Sequence, residues 1–474
     1  MHHKLEFFGT GKAVMRHFLV ILLFLSPWAA QAKIVPWLEL EDSRETSIAE
    51  PVFGGKAVVY ETGLQRKRTL VLVHGLGQDG ARIWKDTIEA LSNRFHIVAF
   101  DLPGFGASDK GNRLYSPRAY VDFIQYVTSK FVDRPFALVG HSMGATLSMQ
   151  FAAENPDKVE RLVMIDAAGV LHRAVFSGHL SSLGFELIPE VYPRQTEVMS
   201  NIVRTTLGRL EGTTLQARAV LESETARAKL LQANPTRIAG LALALEDYSA
   251  VINQVKSPTL ILWGQDDPIA PLRTGKLLAG KIRNSRLRVL PGMGHSPMLE
   301  SPETFNKLLY KELTRSDEDF ERLAIEENYA LPSYSDQATE VVECNAVASE
   351  VVYEGDFKRI DINGCEHVII RNSHVSELDV YNGKVVIENS HIRGLGMRID
   401  DSQVAMTGGS VQGVLAIHTE DSVLDLAGVD IDGLETALYS EGENEVYFSV
   451  SQLSSRFNKG GQHIAYFLLD KDEL

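Results

Sequence analysis

Cysteine is nearly absent: 474 residues carry only Cys344 and Cys365. Two thiols exclude a disulfide-framework scaffold and any paired Cys-x-x-Cys zinc or redox site. Everything before Cys344 must therefore fold on its apolar core alone. Surplus positive charge is also missing. The net charge is −15, and phosphate binding needs clustered Lys and Arg, so a nucleic-acid surface is excluded. No Asn-x-Ser/Thr sequon occurs. Long apolar runs are absent too. The run at 18–25 falls well short of the roughly 20 residues that span a bilayer, and no later segment reaches that length, so the mature chain is expected to have no membrane span.

What charge there is lies unevenly. Residues 335–474 hold 25 Asp and Glu against 9 Lys and Arg, a balance of −16 that accounts for the whole net charge. The length also exceeds the roughly 250–300 residues at which single cores stop growing. Two domains of different electrostatic character follow, and the acidic surplus is expected on a solvated surface or against a cation-rich partner, not in an interface with the first domain.

The first domain carries an ordered set of motifs. Phe136-Ala137-Leu138-Val139 reads as a buried strand, and residues 145–154 have helical spacing that stops at Asn155-Pro156. Between them stands Gly140-His141-Ser142-Met143-Gly144. A serine on such a strand-to-helix turn presents its hydroxyl above a sheet, and flanking glycines let strand and helix approach closely. An acid and a histidine then follow. Strand 259–263 ends in Gly264-Gln265-Asp266-Asp267-Pro268; both aspartates compete, with Asp267 favoured and Asp266 read as a turn residue. Strand 287–290 leads into Pro291-Gly292-Met293-Gly294-His295-Ser296, a loop able to carry an imidazole over the nucleophile. Ser301 and Pro302 announce a helix beyond it.

An oxyanion needs two backbone N–H donors. Met143 offers one. The loop His74-Gly75-Leu76-Gly77, after strand 69–73, offers the other, from Leu76 or alternatively Gly77. His74 reads as a loop-shaping residue. Asp101-Leu102-Pro103-Gly104-Phe105-Gly106 lacks phosphate-loop spacing and reads as a structural loop.

Together these five motifs resemble the α/β-hydrolase superfamily over about residues 52–315. The resemblance implies an α/β fold, catalytic roles for Ser142, Asp267 and His295, an oxyanion hole from Leu76 and Met143, and no metal or organic cofactor. It also implies a helical cap, placed at about 170–255, where stretches 196–210, 215–231 and 238–251 have helical spacing. Phe176, Leu180, Leu183, Phe185, Leu187 and Ile188 crowd its start, as core of the cap or lining of an acyl pocket. Esterases, lipases, thioesterases, lactonases and carbon–carbon bond hydrolases share the motifs. Dehalogenases and epoxide hydrolases use an aspartate nucleophile, and Ser142 argues against them.

Outside this domain, residues 1–32 read as a signal peptide: Arg16 and His17, the apolar run, then a small-x-small end at Ala32. Export to a periplasm or beyond is expected. The terminal Lys471-Asp472-Glu473-Leu474 would instead address the ER lumen in a eukaryote. Residues 316–335 read as a linker, with Leu331-Pro332-Ser333 as boundary. From 336 to 474 short strands alternate with Asn, Gly, Asp and Ser. Val368-Ile369-Ile370-Arg371-Asn372-Ser373-His374 matches Val385-Val386-Ile387-Glu388-Asn389-Ser390-His391, and similar runs begin at Val404 and Val423. A period of ~20 residues suggests an all-β solenoid, a parallel β-helix, with a β-sandwich as the alternative. Stacking would set Asn372 by Asn389 and His374 by His391, and would bring Cys344 within a coil of Cys365. Tyr353, Tyr381, Tyr439 and Tyr447 suggest a face for a glycan or protein ligand.

The expected function is an exported serine hydrolase cleaving a carboxylic ester or thioester of a small-molecule or lipid-like substrate. The alternatives are a binding protein whose acidic solenoid does the work, and a carbon–carbon bond hydrolase.

Overall fold

The computed structural model describes residues 35–171, 214–327, 338–456 and 458–464. The leader 1–32, the first part of the cap with its apolar cluster, the 331–335 boundary and the terminal tetrapeptide lie outside the described residues.

The first domain is built on one sheet of eight strands: β1 (Arg44–Glu50), β2 (Gly55–Thr62), β3 (Thr69–Val73), β4 (His96–Asp101), β5 (Phe136–His141), β6 (Val159–Ile165), β7 (Thr259–Gly264) and β8 (Ser285–Leu290). Their spatial order is β1-β2-β4-β3-β5-β6-β7-β8. The pairs β1–β2 and β2–β4 are antiparallel, and all the rest are parallel. Every residue of β3, β5 and β7 is buried, which a parallel sheet covered on both faces requires. The two faces share out alternate side chains. Val71, Val73 and Leu138 join a core with α2 (Pro117–Phe131) and α3 (Met143–Glu154). Leu70, Leu72, Ala137 and Val139 join the opposite core with α1 (Lys85–Leu91) and α10 (Pro302–Leu313).

Between β6 and β7 the chain leaves the sheet. The described part of this insertion holds α4 (Thr214–Glu222), α5 (Glu224–Leu230), α6 (Pro235–Ala244) and α7 (Ser249–Ile252). Each of the two long helical stretches expected here is split in two. Ser223 caps α5 by accepting the Ala226 N–H at 3.3 Å, and Asn234 caps α6 through the Arg237 N–H at 3.2 Å. The insertion packs directly on the sheet end: a Cβ on Gly169 would lie 2.4 Å from Leu243.

After β7 come α8 (Leu272–Lys281), α9 (Pro297–Glu300), α10 and α11 (Asp317–Glu326). Ser301 precedes α10 as expected but makes no side-chain cap. Its N–H instead closes α9 on the Pro297 carbonyl at 3.0 Å. α11 falls within the stretch read as a linker, yet its Phe320 is fully buried against the core of the first domain. The guanidinium of Arg161 lies 4.2 Å from the Phe320 ring centre and bonds Asp317 at 2.7 Å. Buried Arg286 adds Glu312 at 2.6 Å and Glu327 at 2.9 Å.

The second domain is all-β. Strands β9 (Val341–Asn345), β10 (Val351–Tyr353), β11 (Asp356–Asn363), β12 (Val368–Arg371), β13 (His374–Tyr381), β14 (Lys384–Asp400), β15 (Gln403–Glu420), β16 (Val423–Ala427), β17 (Asp430–Glu441), β18 (Glu445–Ser449) and β19 (Ser451–Ser455) pair in parallel, and β20 (Asn458–Ile464) closes antiparallel on β19. Parallel pairing is consistent with a β-solenoid and argues against the sandwich, whose neighbouring strands would run antiparallel. Val368, Val385, Val404, Leu424 and Val446 stack in register, all buried. At the turns Asn372, Asn389, Asp401 and Asp421 take left-handed φ of 43–48°, a conformation these side chains tolerate best after glycine. Each is followed by a buried serine: Ser373, Ser390, Ser402 and Ser422. The Ser390 hydroxyl accepts the Ser373 N–H at 3.1 Å, and that of Ser422 accepts the Ser402 N–H at 3.0 Å. Cys344 and Cys365 form a disulfide.

Part of the acidic surplus lies in an interface with the first domain, contrary to expectation. One helix of the first domain, α8, faces it with three cations. Arg273 bonds Asp425 and Thr407, Lys276 bonds Glu388 at 2.7 Å, and Lys281 bonds Asp430 at 2.7 Å. Ala427 and Val450 of the second domain enter the apolar core of the first. The cation-rich partner is the neighbouring domain itself.

Candidate active site

Ser142 sits between β5 and α3 at φ 54°, ψ −124°, a strained backbone that a β-carbon rarely adopts. The surrounding hydrogen bonds hold it there. Its N–H donates to Ile165 O at 2.9 Å, and its carbonyl accepts the Ala168 N–H at 3.3 Å. The two glycines of the pentapeptide have steric reasons. A Cβ on Gly140 would stand 2.3 Å from Gly144 O, and one on Gly144 would stand 2.4 Å from Val73 O. Both distances are impossible for real atoms, so strand, turn and helix can meet only without side chains.

Two loops bring the partners. Asp267 follows the end of β7, where it is buried, and Asp266 beside it is exposed. Its Oδ1 accepts the N–H groups of Ile269 at 2.7 Å and Ala270 at 3.0 Å, which fixes the carboxylate. Its Oδ2 accepts from His295 Nδ1 at 2.8 Å. That leaves His295 Nε2 to accept the Ser142 hydroxyl at 3.0 Å. Ser142, His295 and Asp267 thus form one buried, hydrogen-bonded row, each at most 6% exposed.

The His295 loop is pinned on both sides by a residue with no motif to announce it. Glu300 accepts the Gly294 N–H at 2.6 Å and the Ser296 N–H at 2.8 Å. His141 adds a third tie, donating from Nε2 to the His295 carbonyl at 2.7 Å. Burial, with His295 beside it, pushes His141 down to about 3, so it stays neutral and cannot compete as a charged group. A Cβ on Gly264 would lie 2.0 Å from Gly294 O; glycine there lets the two loops touch.

Met143 opens α3, so its N–H is among the first-turn donors that no helical carbonyl reaches. Leu76 lies half-buried in the loop after β3. That loop abuts Ser142: a Cβ on Gly75 would come within 2.7 Å of Ser142 Cβ and 3.3 Å of its Oγ. His74 locks the loop. Its Nδ1 donates to Gly75 O at 2.7 Å and its Nε2 accepts the Leu102 N–H at 2.9 Å. Burial holds this imidazole below its ordinary value. Asp101 is structural as well, accepting from Tyr60 Oη at 2.9 Å and from the Ala81 and Ala107 N–H groups at 2.7 Å each.

In the second domain, His374 and His391 stack with ring centres 5.5 Å apart. Their Nδ1 atoms bond Asp356 at 3.0 Å and Ser410 at 2.6 Å. No cluster of three metal-ligating side chains occurs among the described residues.

Comparison with known proteins agrees on the first domain. Residues 68–302 match the family model described as alpha/beta hydrolase fold. An uncharacterized protein of Mycobacterium tuberculosis is 29% identical over 250 residues, covering 50% of this chain and 72% of that one. The pimeloyl-[acyl-carrier protein] methyl ester esterase of Nitrosomonas europaea is 28% identical over 246 residues, 50% of this chain and 92% of its own length. A 2-hydroxy-6-oxononadienedioate/2-hydroxy-6-oxononatrienedioate hydrolase of Pseudomonas putida is 29% identical over 261 residues, 52% and 88% respectively.

Proposed function

Because residues 68–302 match the family model described as alpha/beta hydrolase fold, we propose that this chain is a serine hydrolase that cleaves a carboxylic ester or thioester through an acyl-enzyme. The observation that carries the reading is the buried row from Ser142 through His295 to Asp267. In the proposed reaction His295 Nε2 takes the hydroxyl proton as Ser142 Oγ attacks the carbonyl. Asp267 keeps the imidazole in the Nδ1–H tautomer and stabilises its charge. The N–H groups of Met143 and Leu76 receive the oxyanion. His295 then returns the proton to the leaving group, and water, activated the same way, releases the acid.

Fluorophosphonate labelling of the full chain tests this. Labelling at Ser142, lost in Ser142→Ala together with p-nitrophenyl ester hydrolysis, supports the reading. An unlabelled wild type overturns it and favours the scaffold role for the second domain. A carbon–carbon bond hydrolase is the second reading, favoured by the name of the Pseudomonas putida relative; turnover of a vinylogous diketone but not of esters would select it.

Export to an oxidising compartment belongs to the same proposal. The Cys344–Cys365 bridge supports it, since such bonds persist outside the reducing cytosol.

A further inference from the structure

The seam between the two domains encloses a cavity of about 330 Å³, inside the range of roughly 300–1,000 Å³ usual for small-molecule sites. One wall is α8, with Lys276, Gly280 and Lys281; the facing coils contribute Glu388, His391, Asp430 and Gln452. His391, Ser410, Asp430 and Gln452 are register neighbours on successive coils, from β14 through β15 and β17 to β19. His391 Nδ1 bonds Ser410 Oγ at 2.6 Å, and Asp430 bonds Lys281 at 2.7 Å. His391 Nε2 and the Gln452 carboxamide have no hydrogen-bond partner among the described residues.

Gly280 marks the same place independently. Glycine inside a helix costs up to about 1 kcal/mol against alanine, and its usual reasons are missing here. Its φ is not left-handed, and a Cβ at this position would meet no atom within 4 Å. The open space beside it belongs to the cavity that it lines, and bare backbone is the surface that lets a ligand approach closely.

The charges decide what fits. Lys276 is paired with Glu388 and Lys281 with Asp430, each at 2.7 Å, so two cations and two carboxylates cancel. A charged ligand would find no opposite charge left unpaired, and an apolar one would strip water from all four ions. No three metal-ligating side chains cluster among the described residues. The groups left over, an imidazole nitrogen and a carboxamide, both suit hydroxyls. Ser410 can donate or accept, so His391 Nε2 can take either role, and an amide offers one of each. Burial, then the neighbouring His374, holds the His391 imidazole below its ordinary value, so it stays uncharged at neutral pH.

We propose that the seam cavity binds a neutral polyhydroxylated molecule of monosaccharide size, held by His391 and Gln452 against the bare backbone of Gly280. None of these residues belongs to the row of Ser142, His295 and Asp267, so the site stands whether or not the hydrolase reading does.

The test uses the full chain, saturation-transfer NMR and calorimetric titration. The probes are glucose, galactose and N-acetylglucosamine, with inorganic phosphate and tetramethylammonium as charged controls. At least one sugar should bind with a Kd of about 1 mM or tighter, and more tightly than either control. Gly280→Leu, which puts a side chain into the open space, should weaken that binding by about tenfold or more. Its melting temperature should match or exceed that of the wild type, because leucine is the better helix former. His391→Phe keeps a ring but loses the nitrogens, and should cost about tenfold, the scale of one lost hydrogen bond. Ser142→Ala should bind the sugar as the wild type does, which separates the seam from the candidate active site. Failure of all three sugars to bind would overturn the proposal. So would wild-type affinity in folded Gly280→Leu and His391→Phe, lost binding in Ser142→Ala, or a control that binds more tightly than every sugar. If Gly280→Leu does not fold, His391→Phe decides alone.

Discussion

In the first domain the buried polar side chains come from distant points of the chain: His74, His141, Ser142, Asp166, Asp267 and His295. In the second they recur once per coil: Ser373, Ser390, Ser402 and Ser422. The first set needs six positions on several loops to agree in space, and no bonding pattern in it repeats. The second set needs only that one coil resemble the next. Both pair most of their buried polar atoms, as the cost of leaving them unpaired demands, although His141 Nδ1 and Asp166 Oδ2 have no partner. Only the first produces an asymmetric arrangement in which a hydroxyl, an imidazole and a carboxylate meet. Repetition stabilises an extended surface, and irregularity brings unlike groups together.

The largest expected effect separates the two domains most sharply. Ser142→Ala should cut ester turnover by roughly 10⁵–10⁶-fold, the scale seen when a nucleophile acting within such a row is removed. Its melting temperature should stay close to that of the wild type, because the hydroxyl contributes one bond and no packing. Residual turnover within tenfold of the wild type would mean that the chemistry lies elsewhere, the solenoid included. Next comes Asp267→Asn, expected to lower kcat by about 10³–10⁴-fold. Asp266→Asn, at an exposed position, should cost far less; steady-state kinetics on both variants compares them directly, and the reverse ranking would assign the acid to the wrong aspartate.

Much of this centre was legible because its signals are local. A strand, a Gly-x-Ser-x-Gly turn and a helix are contiguous in sequence, and Asp267 and His295 each close a strand with glycines nearby. The coil repeat was legible for the same reason: Asn372-Ser373-His374 and Asn389-Ser390-His391 are matching words. What escaped is what depends on neighbours far away in the chain. Asp166 reads only as the end of a strand until Gly264 stands beside it. Glu300 carries no motif, because its two partners are backbone N–H groups on either side of His295. Composition leaves the acidic surplus either solvated or against a cation-rich partner, because it gives a charge but not a partner. α8 does hold Arg273, Lys276 and Lys281 within ten residues, yet nothing local says that they face Asp425, Glu388 and Asp430.

A core substitution in the solenoid sharpens the contrast from the other side. Ile387 is fully buried among the stacked coils. Ile387→Ala should destabilise the second domain by about 2–5 kcal/mol through lost transfer energy and a cavity. Denaturant unfolding followed by kinetics should then show a lowered or separate transition with ester kcat unchanged in the folded state. A matching fall in kcat would show that the active site depends on solenoid packing, and the two-module division would no longer hold.

The smallest effect tests the seam. Lys276 and Glu388 are 2.7 Å apart, with 23% and 29% of their side chains exposed. Partial exposure places the pair between a solvent-screened contact and a buried one, so its coupling should be modest, about 0.5–1 kcal/mol. A double-mutant cycle with Lys276→Met, Glu388→Gln and the combination isolates that term from the losses each variant causes alone. The coupling should shrink as salt rises, since exposed charges are screened over ~8–10 Å at 0.1–0.15 M ionic strength. Arg273, which bonds Asp425, Thr407 and the Met406 carbonyl, anchors the same helix and should show the larger single-variant loss. A coupling of zero at low salt would mean that α8 is held to the solenoid by Arg273, Lys281 and the apolar contacts of Ala427 and Val450. A coupling well above 1 kcal/mol would make the seam part of one cooperative core, and the hydrolase domain cut free at Ser335 would then lose stability in proportion.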